Sequence, residues 1–346
     1  MNSIYSNIFR WIIDGGRVAT HDFCQSGMPE LALDSVGIEI SYEDFKKWKG
    51  IVEKDFTDQV AMLYNVDSEQ VITTAGGTEG IALASIYLHR NSQCIDIAVP
   101  EYEPLYRMPE TMGFRTKRIN SYEERTAEKN HSLSTTFPNN PTGDMEGDRK
   151  LSSYFENGNL TYIDETFREF LFPEKPYTFL HSYPDALTSV TMTKFYGAGQ
   201  WRIGWIMGSR EKMREIREYR FLTTGSTNKV SLYTGMKILE KRKEIQENVK
   251  KVLSENRKNV KDYMNRLHLK FTSPEHTTFT FVQTNRESLR VAENMLDKYG
   301  IFVSPGEYFG VPGGYRLCMT QEPSRFKSDL DALVKYYEEQ GESGLI

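Results

Sequence analysis

Lys194 closes the segment Thr191-Met192-Thr193-Lys194, at the end of the β-branched run Leu187 to Met192, and Arg202 follows eight residues later. An ammonium ending a buried strand loses its hydration, which is costly unless the group has a task. One such task is carbonyl chemistry. A desolvated lysine near other cations titrates low, so part of it is the free amine that attacks an aldehyde to form a Schiff base. Thr191 and Thr193 offer hydroxyl donors beside it, and Arg202 offers a planar fork that suits phosphate oxygens. A phosphorylated aldehyde would satisfy all of these groups. The same residues also describe a solvated strand end, so other segments must decide.

Gly197-Ala198-Gly199-Gln200-Trp201-Arg202 begins like the Gly-x-Gly-x-x-Gly dinucleotide fingerprint. Arg202 occupies the third glycine position, which normally lets helix and strand pack closely, and no clear strand-end acid follows about 20 residues on. A nicotinamide cofactor is therefore disfavoured. Val71-Ile72-Thr73-Thr74-Ala75-Gly76-Gly77-Thr78-Glu79-Gly80 reads as a strand, a glycine turn and a helix. In such a turn the first helical N–H groups are unpaired and the helix dipole favours an anion, so it can cradle a phosphate or be an ordinary β–α turn. Leu160 to Asp164 is an apolar strand ending in an acid. A carboxylate there can keep the pyridine nitrogen of pyridoxal 5′-phosphate (PLP) protonated, or it can simply cap a helix. Pro138-Asn139-Asn140-Pro141-Thr142-Gly143 is dense in turn formers, and Asn140 can donate to a ligand oxygen.

In this order the segments resemble the class I/II aminotransferases of the PLP-dependent fold type I superfamily, aspartate and histidinol-phosphate aminotransferase-like, from about Ser26 to Thr320. The resemblance implies that Lys194 carries PLP as a Schiff base and serves as the catalytic base. It implies that Asp164 pairs with the pyridine nitrogen, Asn140 meets the ring's 3′-oxygen, and Tyr102 of Pro100-Glu101-Tyr102 stacks on the ring. Gly77 and Thr78 would supply the phosphate cradle, helped by Thr191 and Arg202. Arg316, in Tyr315-Arg316-Leu317, would grip the substrate's α-carboxylate, with Asn140 beside it and Gly27 of Ser26-Gly27-Met28-Pro29 in a loop closing over it.

This sequence departs from the family pattern at several places. Phe137 replaces the first asparagine of Asn-Pro-x-Asn-Pro-Thr-Gly, and Phe167 stands where a tyrosine also binds the 3′-oxygen. Tyr42 is the candidate for the tyrosine that reaches a neighbouring subunit's phosphate, although its spacing to Gly50 is irregular. The implied reaction moves an amino group between an L-amino acid and a 2-oxo acid in a homodimer. A decarboxylase, cyclase or C–S lyase would use the same residues, and a non-catalytic PLP-binding regulator is the remaining alternative.

Elements that position these residues are legible in outline. Strand-like runs at 70–75, 94–99, 114–119, 132–137, 160–164, 187–192 and 203–208, alternating with helices, predict a mostly parallel seven-stranded sheet sandwiched by helices, an α/β fold. From Lys229 to Leu267 runs one long amphipathic stretch, then strands at 278–283 and 315–319 flank a helix from Arg286 to Tyr299. Residues 32–230 are expected to form the large PLP-binding domain, with 1–31 and 231–346 as a smaller α/β domain carrying the N-terminal arm. A chain of 346 residues can bury such a core. A net charge of −5 gives no reason to expect nucleic acid. Cys24, Cys94 and Cys318 read as reduced thiols of a cytoplasmic protein, the histidines show no metal-ligand spacing, and no apolar run approaches membrane-spanning length.

Overall fold

The structure, a computed structural model, describes residues 6–48, 52–119, 128–145 and 147–340. Seven strands make the main sheet: β1 (Val71–Thr74), β2 (Cys94–Ala98), β3 (Thr116–Ile119), β4 (His131–Thr136), β5 (Thr161–Asp164), β6 (Leu187–Thr191) and β7 (Gly204–Met207). Their spatial order is β1-β7-β6-β5-β4-β2-β3. Only β7 runs antiparallel to its neighbours, β1 and β6; the remaining pairs are parallel.

Side chains alternate between two cores, as the two-residue period of a strand requires. Val71, Val190, Trp205 and Met207 enter one core, while Ile72, Leu187 and Ile206 enter the other. Both faces are therefore covered. The edge strand β3 is the exception. It carries Lys117 and Arg118 and is only partly buried, which discourages pairing with another sheet.

Three helices matter for the site: α1 (Asn7–Gly15), α2 (Gly77–Asn91) and α3 (Glu103–Thr111). A second, antiparallel sheet is built from β8 (Phe279–Glu287), β9 (Ser304–Pro305) and β10 (Gly313–Cys318), in the order β9-β10-β8. The N-terminal arm joins this half of the molecule, His21–Asp22 pairing in parallel with Ile301–Phe302. One apolar core runs beneath both sheets, linking Phe56 and Trp205 to Leu253, Phe279, Leu317 and Phe326.

Two elements differ from the sequence expectation. The stretch expected as one long helix is two, Lys229–Glu240 and Arg242–Arg266. Lys241 leaves helical geometry at the break, and Arg242 turns inward to the buried Glu169, its Nη2 donating at 2.8 Å. The helix expected from Arg286 begins at Ser288, because β8 continues through Glu287. Among the described residues no helix is long and apolar enough to cross a membrane.

Candidate active site

Ligands in open α/β sheets bind at the carboxyl ends of the strands. Here the ends of β4, β5 and β6 meet the turn after β1 and the arginine of β10 around a cavity partly open to solvent. The cavity gathers Lys194, Asp164, Asn140, Tyr102, Thr191 and Arg202 with Gly77, Thr78 and Arg316.

Lys194 follows β6 and keeps a partial opening to this cavity. Burial, reinforced by the charge of Arg316, pushes its ammonium down to about 8, against the opposing pull of Asp164. Roughly a tenth of it is then free amine at pH 7. Its backbone is braced by the arm: Met28 N–H donates to the Lys194 carbonyl at 2.8 Å. Gly27 lies directly behind the lysine, where a Cβ would come 3.0 Å from Thr193 O and 3.3 Å from Lys194 Cα. It opens onto an adjoining cleft, and its neighbour Ser26 lines the main cavity.

Asp164 ends β5, buried at 6 % exposure. Its Oδ1 accepts from Thr166 N–H at 3.0 Å and from the Thr166 hydroxyl, while Oδ2 makes no hydrogen bond among the described residues. Burial raises its pKa, with Thr166 and Lys194 opposing the shift. A protonated ring nitrogen against Oδ2 would compensate that desolvation. Asn140 accepts from Arg316 Nη1 at 2.8 Å through Oδ1, which turns its Nδ2 donors toward other partners.

Glu101 organises this wall from behind. Fully buried, it accepts from Tyr102 N–H at 2.7 Å and the Thr136 hydroxyl at 2.6 Å through Oε1. Through Oε2 it accepts from Thr136 N–H and the Thr135 hydroxyl, both at 2.9 Å. Desolvation nonetheless pushes its carboxyl up to about 8. The bonds tie Tyr102 to the end of β4, and Thr136 in turn accepts from Asn140 N–H at 2.8 Å.

The turn expected to cradle a phosphate opens α2. Gly76, at φ +85° and ψ 179°, occupies a conformation essentially reserved for glycine. A Cβ there would stand 2.7 Å from Arg202 Nη2, so the arginine lies over the bare backbone. Arg202 Nη2 donates to Ala75 O at 3.3 Å, Thr191 and Thr193 hydroxyls are 2.9 Å apart, and the first amides of α2 have no helical acceptor. These donors fit a phosphate dianion, and Asp164 and Lys194 line the same cavity.

Arg316 is 2 % exposed and lies between the rings of Phe279 and Phe309, at 5.3 and 5.0 Å. Its Nη2 donates to Cys24 O and Ser304 Oγ, each at 3.2 Å, and its buried Nε has no partner among the described residues. Tyr42 is 71 % exposed at the start of the helix Tyr42–Lys47 and does not line this cavity; Gly50 lies outside the described residues. Phe167 does line it, packed edge-on against Phe279 at 4.8 Å.

Sequence reasoning missed Glu101, Thr136, Thr166 and the apolar wall of α1, formed by Ile8, Phe9 and Ile12. The three-to-four spacing of Ile8, Trp11 and Ile12 was the available signal. It also missed a buried group outside the cavity, Cys94, Asp96 and His131 at the start of β2 and β4. There His131 Nδ1 meets Asp96 Oδ1 at 2.9 Å, and Tyr154 donates to Asp96 Oδ2 at 2.9 Å.

Solved structures share this architecture. A PLP-dependent aminotransferase from Streptococcus suis superposes with a TM-score of 0.85 at 21 % identity, covering 98 % of this chain and 99 % of that one. The PLP-dependent cyclase OrfR superposes with a TM-score of 0.85 at 18 % identity, covering 98 % of each chain. The fold is thus the PLP-binding α/β fold of type I. Within it the chain belongs to the aminotransferase class I and II family, whose pattern matches residues 40–333, and its cofactor is PLP. One relative is the LL-diaminopimelate aminotransferase of Natranaerobius thermophilus, 22 % identical over 322 residues, 86 % of this chain and 83 % of the relative.

Proposed function

We propose that the chain transfers an amino group between an L-amino acid and a 2-oxo acid, with Lys194 moving the proton. The observation that carries this is the meeting of Lys194, Asp164 and Arg316 in one cavity. When bound, PLP supplies the aldehyde that holds the amino group and the ring that accepts electrons. Arg202, Thr191, Gly77 and Thr78 would anchor its phosphate, Tyr102 would cover its ring, and Asp164 would keep a proton on its nitrogen. Arg316, steadied by Asn140, holds the α-carboxylate so that the α-hydrogen points at Lys194. Lys194 Nζ, with its low pKa, takes that proton and returns it to a neighbouring carbon.

A homodimer would complete the arrangement. Tyr42, exposed in the single chain, is the residue we propose to reach a partner's phosphate, and sedimentation of the active species tests the dimer. The reaction itself is tested by incubating the protein with L-amino acids and 2-oxoglutarate and weighing the products. The expected product is the 2-oxo acid of the donor. Carbon dioxide or free ammonia in its place would assign decarboxylation or elimination.

Phe167 provides a sharper probe, because it faces the cavity where the family has a tyrosine. A hydroxyl there would donate to the 3′-oxygen and favour its anion. Phe167→Tyr is expected to lower the pH midpoint of the bound cofactor's absorbance by about one unit, since a hydrogen bond to a charged group is worth about 1.5–3 kcal/mol and water offsets part of it. An unchanged midpoint would place the ring's oxygen away from residue 167.

A further inference from the structure

Cys94, Asp96 and His131 form a buried group that amino transfer does not use, set at the amino ends of β2 and β4 and so a strand's length from the cavity. The sheet brings them together. Residues two apart in a strand share a face, and Cys94 lies in register with His131, so a thiol, a carboxylate and an imidazole project from one side of neighbouring strands. Ile95 and Ile97 take the other side and enter an apolar core. Spacing along the chain does not show this group, because β4 joins it only through parallel pairing.

His131 lies between two carboxylates, with Asp96 Oδ1 at 2.9 Å from Nδ1 and Glu128 Oε2 at 3.2 Å from Nε2. Both ring nitrogens face acceptors, so a cation belongs between Nδ1 and Oδ1: the ring's own proton or a metal ion. A proton accounts for Asp96 and His131 alone. It leaves the thiol of Cys94, 3 % exposed, without a hydrogen bond among the described residues. A metal ion uses all three groups.

Sulfur, nitrogen and oxygen donors together suit zinc. The three donor atoms lie within 4.8 Å of one another. A tetrahedral zinc ion would hold them roughly 3.4–3.6 Å apart, so side-chain shifts of about an ångström suffice. The bonds around the group already orient it. Tyr154, in the helix Gly147–Glu156, donates to Asp96 Oδ2 at 2.9 Å and leaves Oδ1 for the ion. Glu128, pairing with Nε2, leaves Nδ1 as the coordinating nitrogen. Asn159 Nδ2 donates to Glu128 O at 2.7 Å and to His131 O at 2.6 Å, which ties down the turn carrying both residues.

We propose that Cys94, Asp96 and His131 bind a zinc ion, with water as its fourth ligand, and so join β2 to β4. Binding releases the thiol proton and the Nδ1 proton to solvent. Glu128 is exposed and gives the ion a path inward. The site requires nothing of the amino-transfer reading and is tested apart from it.

The test uses purified holoenzyme, freed of metal with a chelator and then dialysed against zinc or cobalt(II). About one equivalent of zinc per chain is expected by elemental analysis. Thermal unfolding should move to higher temperature as zinc is added, since the ion binds the folded state. Cobalt should give the visible bands of a tetrahedral ion, at longer wavelength than the cofactor's absorbance, and added zinc should bleach them. Cys94→Ser should abolish these bands. Tyr154→Phe keeps all three ligands and should weaken zinc binding by about 10–100-fold. His181→Asn, at an exposed position outside the group, should leave binding unchanged. Failure to bind an equivalent of zinc, an octahedral cobalt spectrum, or equal affinity in the wild type and Tyr154→Phe would overturn the site.

Discussion

Lys194→Ala is expected to lower amino transfer by roughly 10²–10⁴-fold or more, the usual contribution of a positioned acid–base group. PLP should still bind, because Arg202, the α2 turn and Asp164 remain. Borohydride reduction followed by peptide mapping separates the two effects: the wild type should carry the cofactor on Lys194 and the variant on no residue. A cofactor adduct on a different lysine of the wild type would remove Lys194 from its role. The pH dependence has a definite sign. Burial and Arg316 push Lys194 down to about 8, so the free amine grows as pH rises through that value. Covalent capture of PLP by the cofactor-free protein should therefore accelerate from pH 6 to about 8 and then level off. An unperturbed lysine would keep accelerating toward about 10.4.

Arg316→Lys is expected to cost roughly 10²–10³-fold in kcat/KM for α-amino acids, the scale of removing one preorganised donor to a charged group. The guanidinium spans Asn140, Cys24 O and Ser304 from a slot between two aromatic rings. An ammonium is a point charge that cannot reproduce that fork, and it would leave Asn140 Oδ1 without its donor. The loss should appear in the apparent donor constant while PLP affinity stays near the wild-type value. Unchanged affinity for amino acids would move carboxylate recognition elsewhere in the cavity.

The parts of this site legible in the sequence were those where backbone constraint and chemistry coincide. Apart from the edge strand β3, the strands of the main sheet are buried on both faces, and the runs expected from the sequence lie within a residue or two of the observed ends. Lys194, Asp164 and Asn140 sit at or just beyond those ends, and the Gly76-Gly77 turn needs a conformation few residues adopt. What escaped depends on contacts distant in the chain. Glu101 matters because its four donors come from Tyr102, Thr135 and Thr136, and a lone acid beside a proline shows nothing of that. The break at Lys241 follows from a pairing of Arg242 with Glu169 that no local helical period contains. α1 becomes a cavity wall only because Glu103 captures its first turn.

The arm that carries α1 is made long before several of the segments that hold it. His21 and Asp22 pair with Ile301 and Phe302, Phe23 O accepts from Cys318 N–H at 2.8 Å, and Ser26 O accepts from the Thr278 hydroxyl at 2.7 Å. On a ribosome adding about 5–20 residues per second, the arm waits on the order of tens of seconds for these segments to emerge. The phosphate turn, Asp164, Lys194 and Arg202 are all synthesised well before Arg316 arrives. A nascent chain would therefore hold the groups proposed to retain the cofactor before it holds the arginine proposed to grip the substrate's carboxylate.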